Sequence, residues 1–291
     1  MPLAVTLVPT NLKRGIFSMR HKRLRPAFSM IELVFVIVVL GIVASIGSEM
    51  IVKIYDSYIV QRAQHRATLK TNLAATQIAN RLISAIPGTV YRIKGTNPNT
   101  YEPIDSDFGG SDGDEYIGIQ WVASDTESFN STTSPGKPGW SGFCDIDAST
   151  QTSIETPGSI LTSTTTIINN LFPSSNRIAI YFPYDLTDYN ASITDADTIT
   201  LTGTGATHIV EHYKLAWSSY ALVVEDGDLY LYYNFDPSVG VSRGNTKSLL
   251  MKNISTFKFK GGGQTIRFKV CKEERISEDL NITACKEKAV F

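Results

Sequence analysis

The sequence has few of the residues on which most enzyme active sites depend. It contains 4 histidines and 3 cysteines in 291 residues. It also lacks the His-Glu-x-x-His pattern of zinc proteases and the glycine-rich loop, ending in Lys and Ser or Thr, that holds nucleotide phosphates. These absences argue against two large enzyme classes, and we predict that the protein is not an enzyme and has no resident cofactor.

Acidic residues are missing from the start of the chain. No Asp or Glu precedes Glu32, whereas six cations do: Lys13, Arg14, Arg20, Lys22, Arg23 and Arg25. Positive charge beside a membrane-spanning segment stays on the cytoplasmic side. We therefore predict a cytoplasmic N-terminus and a chain that lies outside the cytoplasm after about Gly47. The net charge of the whole chain is −1, which by itself does not suggest a nucleic-acid partner.

Proline is missing between Phe28 and Ile86, and Pro87-Gly88 follows directly. This pattern predicts one helix from Phe28 to about Ile86. Its first part, residues 28–47, has an apolar run close to the ~20 residues that span a hydrocarbon core. In residues 48–87, apolar side chains recur at helical spacing and predict an amphipathic continuation with one face for a folded domain. These side chains are Ile51, Ile54, Tyr55, Tyr58, Leu69, Leu73, Leu82 and Ile86. A membrane-proximal coiled coil is the alternative, which the irregular spacing disfavours.

Glu32 is the one charge in the apolar run. A carboxylate at the centre of a membrane helix costs roughly 2.5–3.5 kcal/mol on insertion scales, so it indicates a function. An ordinary signal peptide would have a shorter apolar core and a better cleavage site than Ala44–Gly47. A plain signal anchor accounts for the length and the flanking charges, but not for Glu32.

The segment that follows Ala27, Phe28-Ser29-Met30-Ile31-Glu32-Leu33 and then an unbroken aliphatic stretch, resembles the N-terminus of type IV pilins and type II secretion pseudopilins. The resemblance implies that a prepilin peptidase cuts between Ala27 and Phe28 and methylates the new amino terminus of Phe28. Residues 1–27 would then be a basic leader. A start at Met19 would give a leader of more usual length, and Ala27 stands where the family prefers Gly.

The resemblance also gives Glu32 a role in assembly. Once Phe28 is the terminus, its α-amine, with an unperturbed pKa of about 7.7–8.0, carries positive charge at neutral pH. The Glu32 carboxylate of one subunit can meet the amine of the next, which would set the register of stacked subunits. The alternative is a glutamate close enough to the membrane edge to stay hydrated.

After the helix, residues 88–175 are rich in Gly, Ser, Thr, Asn, Asp and Pro and predict a loop-rich insert, with a strand near Tyr116–Val122. From about Asn176 the apolar period changes to two, which predicts one antiparallel sheet over 176–291. Asp226-Gly227 and Gly261-Gly262-Gly263 mark two hairpins. The predicted strands are 177–182, 198–202, 206–213, 220–224, 229–234, 254–260, 265–270 and 288–291. The fold class is therefore α+β, a long N-terminal helix packed on an antiparallel sheet, which resembles the pilin fold.

The three cysteines are Cys144, Cys271 and Cys285. A domain outside the cytoplasm permits disulfides. Cys271 and Cys285 flank a charged segment with little apolar content of its own, so we predict a bridge between them. Cys144 would then be a buried free thiol.

Two charged clusters could each bind a ligand or could simply be solvated parts of the surface. Carboxylates at short spacing in a glycine-rich loop could bind calcium. Their spacing does not match an EF-hand, so a solvated acidic loop is favoured. These carboxylates are Asp105, Asp107, Asp112, Asp114 and Glu115. Cations on the last hairpin could bind nucleic acid, but a solvated outer face opposite a core of Phe257, Phe259 and Phe268 is favoured. They are Lys252, Lys258, Lys260, Arg267, Lys269 and Lys272.

These features together predict a minor pilin or pseudopilin of a type II secretion or type IV pilus-like filament. The domain is large for a major subunit, which favours a position at filament initiation or at the tip. Expected partners are the prepilin peptidase, other pilins or pseudopilins and an inner-membrane assembly platform. We expect a single-pass protein of the bacterial inner membrane with a periplasmic C-terminal domain. The alternatives are a minor pilin of a DNA-uptake system and a signal-anchored periplasmic domain.

Overall fold

The computed structural model describes residues 29–95, 99–105, 116–134, 136–172, 177–278 and 280–291. The basic leader and the predicted cleavage site at Ala27 and Phe28 lie outside the described residues. By its contacts the chain divides into two units, residues 1–56 and 57–291. The α+β class is confirmed, because a long helix and antiparallel sheets make up the described chain.

The described residues contain three helices and sixteen strands. The helices are α1 (Met30–Leu82), α2 (Thr126–Phe129) and α3 (Leu161–Leu171). The strands are β1 (Tyr91–Lys94), β2 (Tyr101–Pro103), β3 (Tyr116–Ala123), β4 (Thr132–Ser134), β5 (Lys137–Pro138), β6 (Ser153–Glu155), β7 (Ile178–Tyr181), β8 (Tyr189–Ile193), β9 (Thr198–Leu201), β10 (Lys214–Ala216), β11 (Ser218–Glu225), β12 (Asp228–Phe235), β13 (Lys247–Met251), β14 (Ile254–Gly262), β15 (Thr265–Arg275) and β16 (Asn281–Val290).

Helix α1 ends at Leu82, earlier than the predicted Ile86. The backbone of the residues between Leu82 and Pro87 forms hydrogen bonds with the sheet. Ile86 N–H donates to Val122 O at 2.9 Å, Ser124 N–H donates to Ser84 O at 2.8 Å, and Ala85 forms an isolated bridge with Ala123. The last carbonyls of the helix have donors of their own: Ile83 N–H donates to Ala79 O, Ser84 Oγ to Arg81 O and Ala85 N–H to Leu82 O, so the helix stops without help from proline.

The largest sheet has six strands in the order β13-β12-β11-β3-β1-β2, and its neighbours pair antiparallel. Strands β1, β2 and β3 come from residues 88–175, and β1 and β2 are strands that the sequence analysis did not predict there. The predicted strand near Tyr116–Val122 is confirmed as β3, which lies inside the sheet. The β11–β12 hairpin is also confirmed: Glu225 pairs with Asp228, and Asp226 and Gly227 have φ of 51° and 78°. Positive φ at both turn residues is the geometry that Asp-Gly favours.

Small side chains on α1 pack against one face of this sheet. The buried helix residues are Ala67, Thr71, Ala74, Ala75, Ile78, Ala79 and Leu82. Ile78 and Leu82 share a core with Trp121 of β3 and with Leu222 of β11. Alanine lets the helix lie close to the sheet, and the bulky groups that fill this core come from the strands.

A second sheet has five strands in the order β10-β7-β8-β9-β6 and its own core, which includes Trp140, Leu161 and Leu215. The prediction of one sheet over 176–291 is therefore wrong. The predicted strand 206–213 is wrong as well. This segment contains one isolated bridge, between His212 and Phe143, and its backbone otherwise bonds to loop residues, as in the 3.0 Å bond from Tyr213 N–H to Gly142 O.

The third sheet is the meander β14-β15-β16. Phe257 and Phe268 on its inner face join the core under α1. Lys288 Nζ donates to Thr76 Oγ1 at 3.0 Å and Thr71 Oγ1 donates to Ala284 O at 3.4 Å, so β16 lies beside the helix. The predicted Cys271–Cys285 disulfide is present and joins directly paired residues of β15 and β16. Cys144 is a buried free thiol, as predicted.

Replacing Cys271 and Cys285 together by Ser should lower the free energy of unfolding by about 3 kcal/mol, because the bridge closes a loop with a sequence separation of 14. Urea unfolding of the full chain in detergent micelles measures the change. Dithiothreitol should bring the wild type to the level of the double variant and leave the variant unchanged. A wild type that is insensitive to reductant would contradict the stabilising role.

Candidate membrane anchor and assembly site

Among the described residues, α1 is the helix that is long and apolar enough to cross a membrane. Its apolar side chains from Met30 to Ile46 are exposed, and none of the apolar window is buried within the protein. Aliphatic groups without a protein partner are stable in lipid or against other apolar helices. This part of α1 is consistent with a single-pass anchor.

Glu32 lies in the first turn of α1, where Ser29 precedes the helix. Glu32 N–H donates to Ser29 Oγ at 3.3 Å, and Leu33 N–H donates to Ser29 O at 3.2 Å. The spacing Ser29-x-x-Glu32 matches a capping box, a signal that our sequence reasoning missed. A carboxylate near a helix N-terminus is also favoured by the helix dipole. Ser29 therefore caps the start of α1, and Glu32 stands at the capping-box position, so a test of an intersubunit role must separate the charge of Glu32 from the helix start.

The predicted domain-facing stripe on α1 is largely wrong. Leu69 and Leu73 are 50% and 56% exposed, and Ile54 and Tyr58 are exposed as well. Only Leu82 of the α1 residues in the predicted stripe is buried, while the real stripe consists mainly of alanines. The large apolar groups are left on the outside of the helix, where a neighbouring molecule can cover them.

Asp125 is a buried carboxylate that the sequence analysis did not single out. It is 1% exposed and caps α2, since its Oδ1 accepts from Ser128 N–H at 3.1 Å. Its Oδ2 has no hydrogen-bond partner, and the backbone oxygen of the same residue accepts from Trp140 Nε1 at 2.9 Å. Burial raises the pKa of Asp125 to about 6, against the weaker lowering effect of its bonds to Ser128. This group makes the fold sensitive to pH.

Asp125→Asn should change how the free energy of unfolding depends on pH. The folded-state pKa lies above the usual value of 3.8 for this carboxyl group, so the folded state holds this proton more tightly than the unfolded state. The contribution of Asp125 is therefore greatest below the unfolded pKa and is lost as pH rises through about 6. Relative to wild type, the variant should gain on the order of 2–3 kcal/mol between pH 4 and pH 7.

Urea unfolding of both proteins across this pH range checks the prediction, because shifts of other carboxyl groups cancel in the difference. Asp147→Asn, at an exposed position, is the matched control and should leave the wild-type dependence in place. Parallel curves for wild type and Asp125→Asn would refute the assignment.

The alternation predicted for the last hairpin is confirmed. Lys258, Lys260, Arg267 and Lys269 are exposed, whereas Phe257 and Phe268 are buried and Phe259 is partly buried. Lys272 departs from the predicted cluster. It is 3% exposed on the inner face, where its Nζ lies 2.8 Å from Glu274 Oε2.

The acidic loop that could bind calcium begins at Asp105. Asp105 is exposed, and Asp107, Asp112, Asp114 and Glu115 lie outside the described residues. In the parts of the chain that the structure describes, no group of three or more His, Cys, Asp or Glu side chains could hold a metal ion. Sequence reasoning also missed a Gly-x-Ser-x-Gly pattern at Gly109–Gly113, again outside the described residues. The next described element is strand β3, not the helix that a nucleophile elbow requires.

Comparison of the chain with family models, with curated proteins and with solved structures returned no match.

Proposed function

We propose that the protein is a minor pilin or pseudopilin, a subunit stored in the membrane and assembled through its N-terminal helix into a type II secretion or type IV pilus-like filament. The observation that carries this proposal is helix α1. One unbroken helix begins with Glu32 in its first turn, continues through exposed apolar residues, and ends in a stripe buried on an antiparallel sheet.

The exposed half of α1 supports assembly as well as anchoring. A plain anchor needs an apolar span, and a carboxylate within that span adds a cost of insertion. A subunit that packs its helix against those of its neighbours can use the carboxylate as a partner for an amine. Gly41 and Gly47 have open space at the position of a side chain, so a neighbouring helix could approach closely there.

The remaining features of the proposal follow from this arrangement. We place the N-terminus in the cytoplasm, the span in the bacterial inner membrane and residues after about Gly47 in the periplasm, where the Cys271–Cys285 bridge is stable. Partners would be the prepilin peptidase, other pilins or pseudopilins and the inner-membrane assembly platform. The additional five-stranded sheet makes the domain large, which favours a position at initiation or at the tip.

A DNA-uptake pilin is the second candidate, and the exposed cations of β14 and β15 are the observation that favours it. Binding there would rely on phosphate contacts alone, because the aromatic residues of these strands point to the other face and none is available for stacking on bases. A signal-anchored periplasmic domain is the third candidate and needs neither cleavage nor assembly.

The mature N-terminus tests the proposal. In cells with the prepilin peptidase, mass spectrometry should find a chain that begins with N-methylated Phe28. In a peptidase-deficient strain the leader should remain, and its first residue would show whether the chain starts at Met1 or Met19. An uncleaved chain in both strains would overturn the pilin assignment and leave the signal anchor.

A further inference from the structure

A groove lies where the loop after α1, the loop after β7 and the turn between β14 and β15 meet. It has a volume of about 450 Å³, and apolar residues such as Pro87 and Pro183 line it. Three polar residues, Asp185, Lys214 and Gln264, line it as well. Small-ligand sites are concave, about 300–1,000 Å³ in volume and mostly apolar, with a few polar groups that orient the ligand. The size and composition of the groove therefore match a small-ligand site.

Tyr184, which also lines the groove, has an unusual backbone conformation. Its φ is 65°, in the left-handed region that bulky side chains rarely adopt. Its side chain is fully exposed, and it makes no hydrogen bond or ring contact with any residue that the structure describes. The fold therefore gains no packing from this side chain in return for the backbone strain. Such strain is typical of residues that contact a ligand.

The loop that carries Tyr184 is held in place by hydrogen bonds. Asp185 N–H donates to Phe182 O at 3.2 Å, which closes a turn around Tyr184. Thr187 N–H donates to Asp185 Oδ1 at 3.0 Å, and Tyr189 OH donates to Asp185 Oδ2 at 2.7 Å. A binding loop that is already ordered loses less conformational entropy when a ligand binds. These bonds therefore keep the exposed ring in place for a ligand.

Leu186 anchors the same loop to the chain that follows α1. A side chain at residue 88 would overlap Leu186 Cδ2, so Gly88 leaves the space in which Leu186 packs. Gly88 also has a φ of 84°, which glycine adopts without strain. The position of Tyr184 beside the groove therefore depends on packing as well as on hydrogen bonds.

The polar groups of the groove have unused hydrogen-bonding capacity. Each oxygen of Asp185 accepts one described bond and can accept another. Burial raises the pKa of Asp185, but the bonds from Thr187 and Tyr189 together lower this pKa below its usual value, so the carboxylate is ionised at neutral pH. Among the described residues, neither Lys214 Nζ nor the Gln264 amide has a hydrogen-bond or ion-pair partner. The groove thus offers one acceptor group and two donor groups.

These groups select a ligand with an apolar face and a polar rim. The face of an aromatic ring is negative and attracts C–H groups that neighbouring oxygens make positive. Hydroxyls can donate to a carboxylate and accept from an ammonium or amide group. A pyranose ring has C–H groups on its face and hydroxyls around its edge. A purely apolar ligand would instead remove Asp185 and Lys214 from water without a partner, which is costly.

We propose that this groove binds an uncharged oligosaccharide, with one sugar ring stacked on Tyr184 and its hydroxyls bonded to Asp185 and Lys214. The Gln264 amide supplies a further donor from the β14–β15 turn. The lining residues all lie between residues 86 and 264, so the site does not depend on the membrane-spanning part of α1 or on its assembly. Sugar binding would give the protein a ligand outside the cytoplasm in addition to its role in a filament.

Isothermal titration calorimetry of the full chain with three oligosaccharides tests the site. Dodecylphosphocholine micelles are suitable, because a detergent with a sugar head group would compete. Tri-N-acetylchitotriose, cellotetraose and maltotetraose represent an amino-sugar chain, a β-linked glucose chain and an α-linked glucose chain. We expect saturable binding of at least one of them, and the one that binds most tightly identifies the kind of glycan.

Substitutions at the groove should separate stacking from hydrogen bonding. Tyr184→Ala should weaken binding about tenfold because it removes the stacking face, whereas Tyr184→Phe should stay within about twofold of wild type. Lys214→Ala and Gln264→Ala should each weaken binding about fivefold. Phe143→Ala, which removes an exposed aromatic ring at another place in the domain, is the matched control and should bind normally.

Tyr184→Gly distinguishes a role in binding from a role in the fold. Glycine adopts positive φ without strain, so this variant should retain or raise the midpoint of urea unfolding while it loses the stacking interaction. A marked fall in the midpoint would show that the Tyr184 side chain stabilises the fold, and it would contradict the premise that strain is kept for a ligand.

The absence of saturable binding for all three oligosaccharides, or binding that Tyr184→Ala leaves unchanged, would overturn the proposal. Binding of decaproline that depends on Tyr184, without sugar binding, would also overturn it and assign the groove to an extended peptide. Sugar binding that depends on Tyr184, together with an uncleaved N-terminus, would uphold the site and reject the filament function.

Discussion

Glu32→Gln is expected to reduce incorporation of the subunit into filaments at least tenfold while leaving cleavage before Phe28 intact. In the proposed assembly the carboxylate neutralises the α-amine of a neighbouring subunit in an apolar bundle. Removing one partner of a buried pair costs about 3–5 kcal/mol, because the other charge is left uncompensated. Each 1.4 kcal/mol corresponds to a factor of ten in an equilibrium constant.

Gln is the informative substitution because of the capping arrangement at Ser29. Glutamine is also accepted at this position of a capping box, so Glu32→Gln keeps the helix start and removes only the charge. Quantitative immunoblotting of sheared filaments, with mass spectrometry of the N-terminus, measures incorporation and cleavage separately.

Glu49→Gln is the matched control, since Glu49 is an exposed carboxylate on the same helix and pairs only with Lys53 at 2.7 Å. It should incorporate normally. Normal incorporation of Glu32→Gln would show that Glu32 serves the helix start or stays hydrated, and the intersubunit pair would be rejected.

Trp121→Ala is expected to lower the free energy of unfolding by about 4 kcal/mol, the largest stability effect that we foresee for a single substitution. Trp121 is fully buried in β3 and stacks on Tyr220, with ring centroids 6.0 Å apart. It belongs to the core that receives Ile78 and Leu82 of α1. Truncation would leave a large cavity between helix and sheet.

Urea unfolding of the full chain in detergent micelles, followed by far-ultraviolet circular dichroism, measures this loss. Phe143→Ala, which truncates an aromatic residue that is 53% exposed, should stay within about 0.5 kcal/mol of wild type. A loss below about 1 kcal/mol for Trp121→Ala would mean that the sheet does not depend on this core.

Elements with a strong local signal were predicted well. The β11–β12 hairpin follows from Asp226-Gly227, because few residues other than Gly and Asp or Asn tolerate positive φ at both turn positions. The apolar run of the helix follows from composition. The alternation of Lys and Phe on β14 and β15 follows from the period of two in a strand.

Elements that depend on distant contacts were missed. Helix α3 has the sequence LTSTTTIINNL, which is rich in poor helix formers, and it forms because Leu161, Thr164 and Ile168 are buried in the second core. The polar composition of residues 88–175 likewise concealed β1 and β2, which pair with each other and, through β1, with β3. No sequence pattern predicts that Asp125 is buried, because its burial depends on how α2, Trp140 and β10 pack together.

The sequence by itself determined the apolar helix with its single carboxylate, the two hairpins and the Cys271–Cys285 pair, because each depends on neighbours along the chain or on charge and length. Only the tertiary structure decided which face of α1 is buried, how the strands divide among separate sheets, and that Asp125 is buried. Those outcomes depend on packing between residues that are far apart in the chain, and the close approach of an alanine stripe to Trp121 has no local signature.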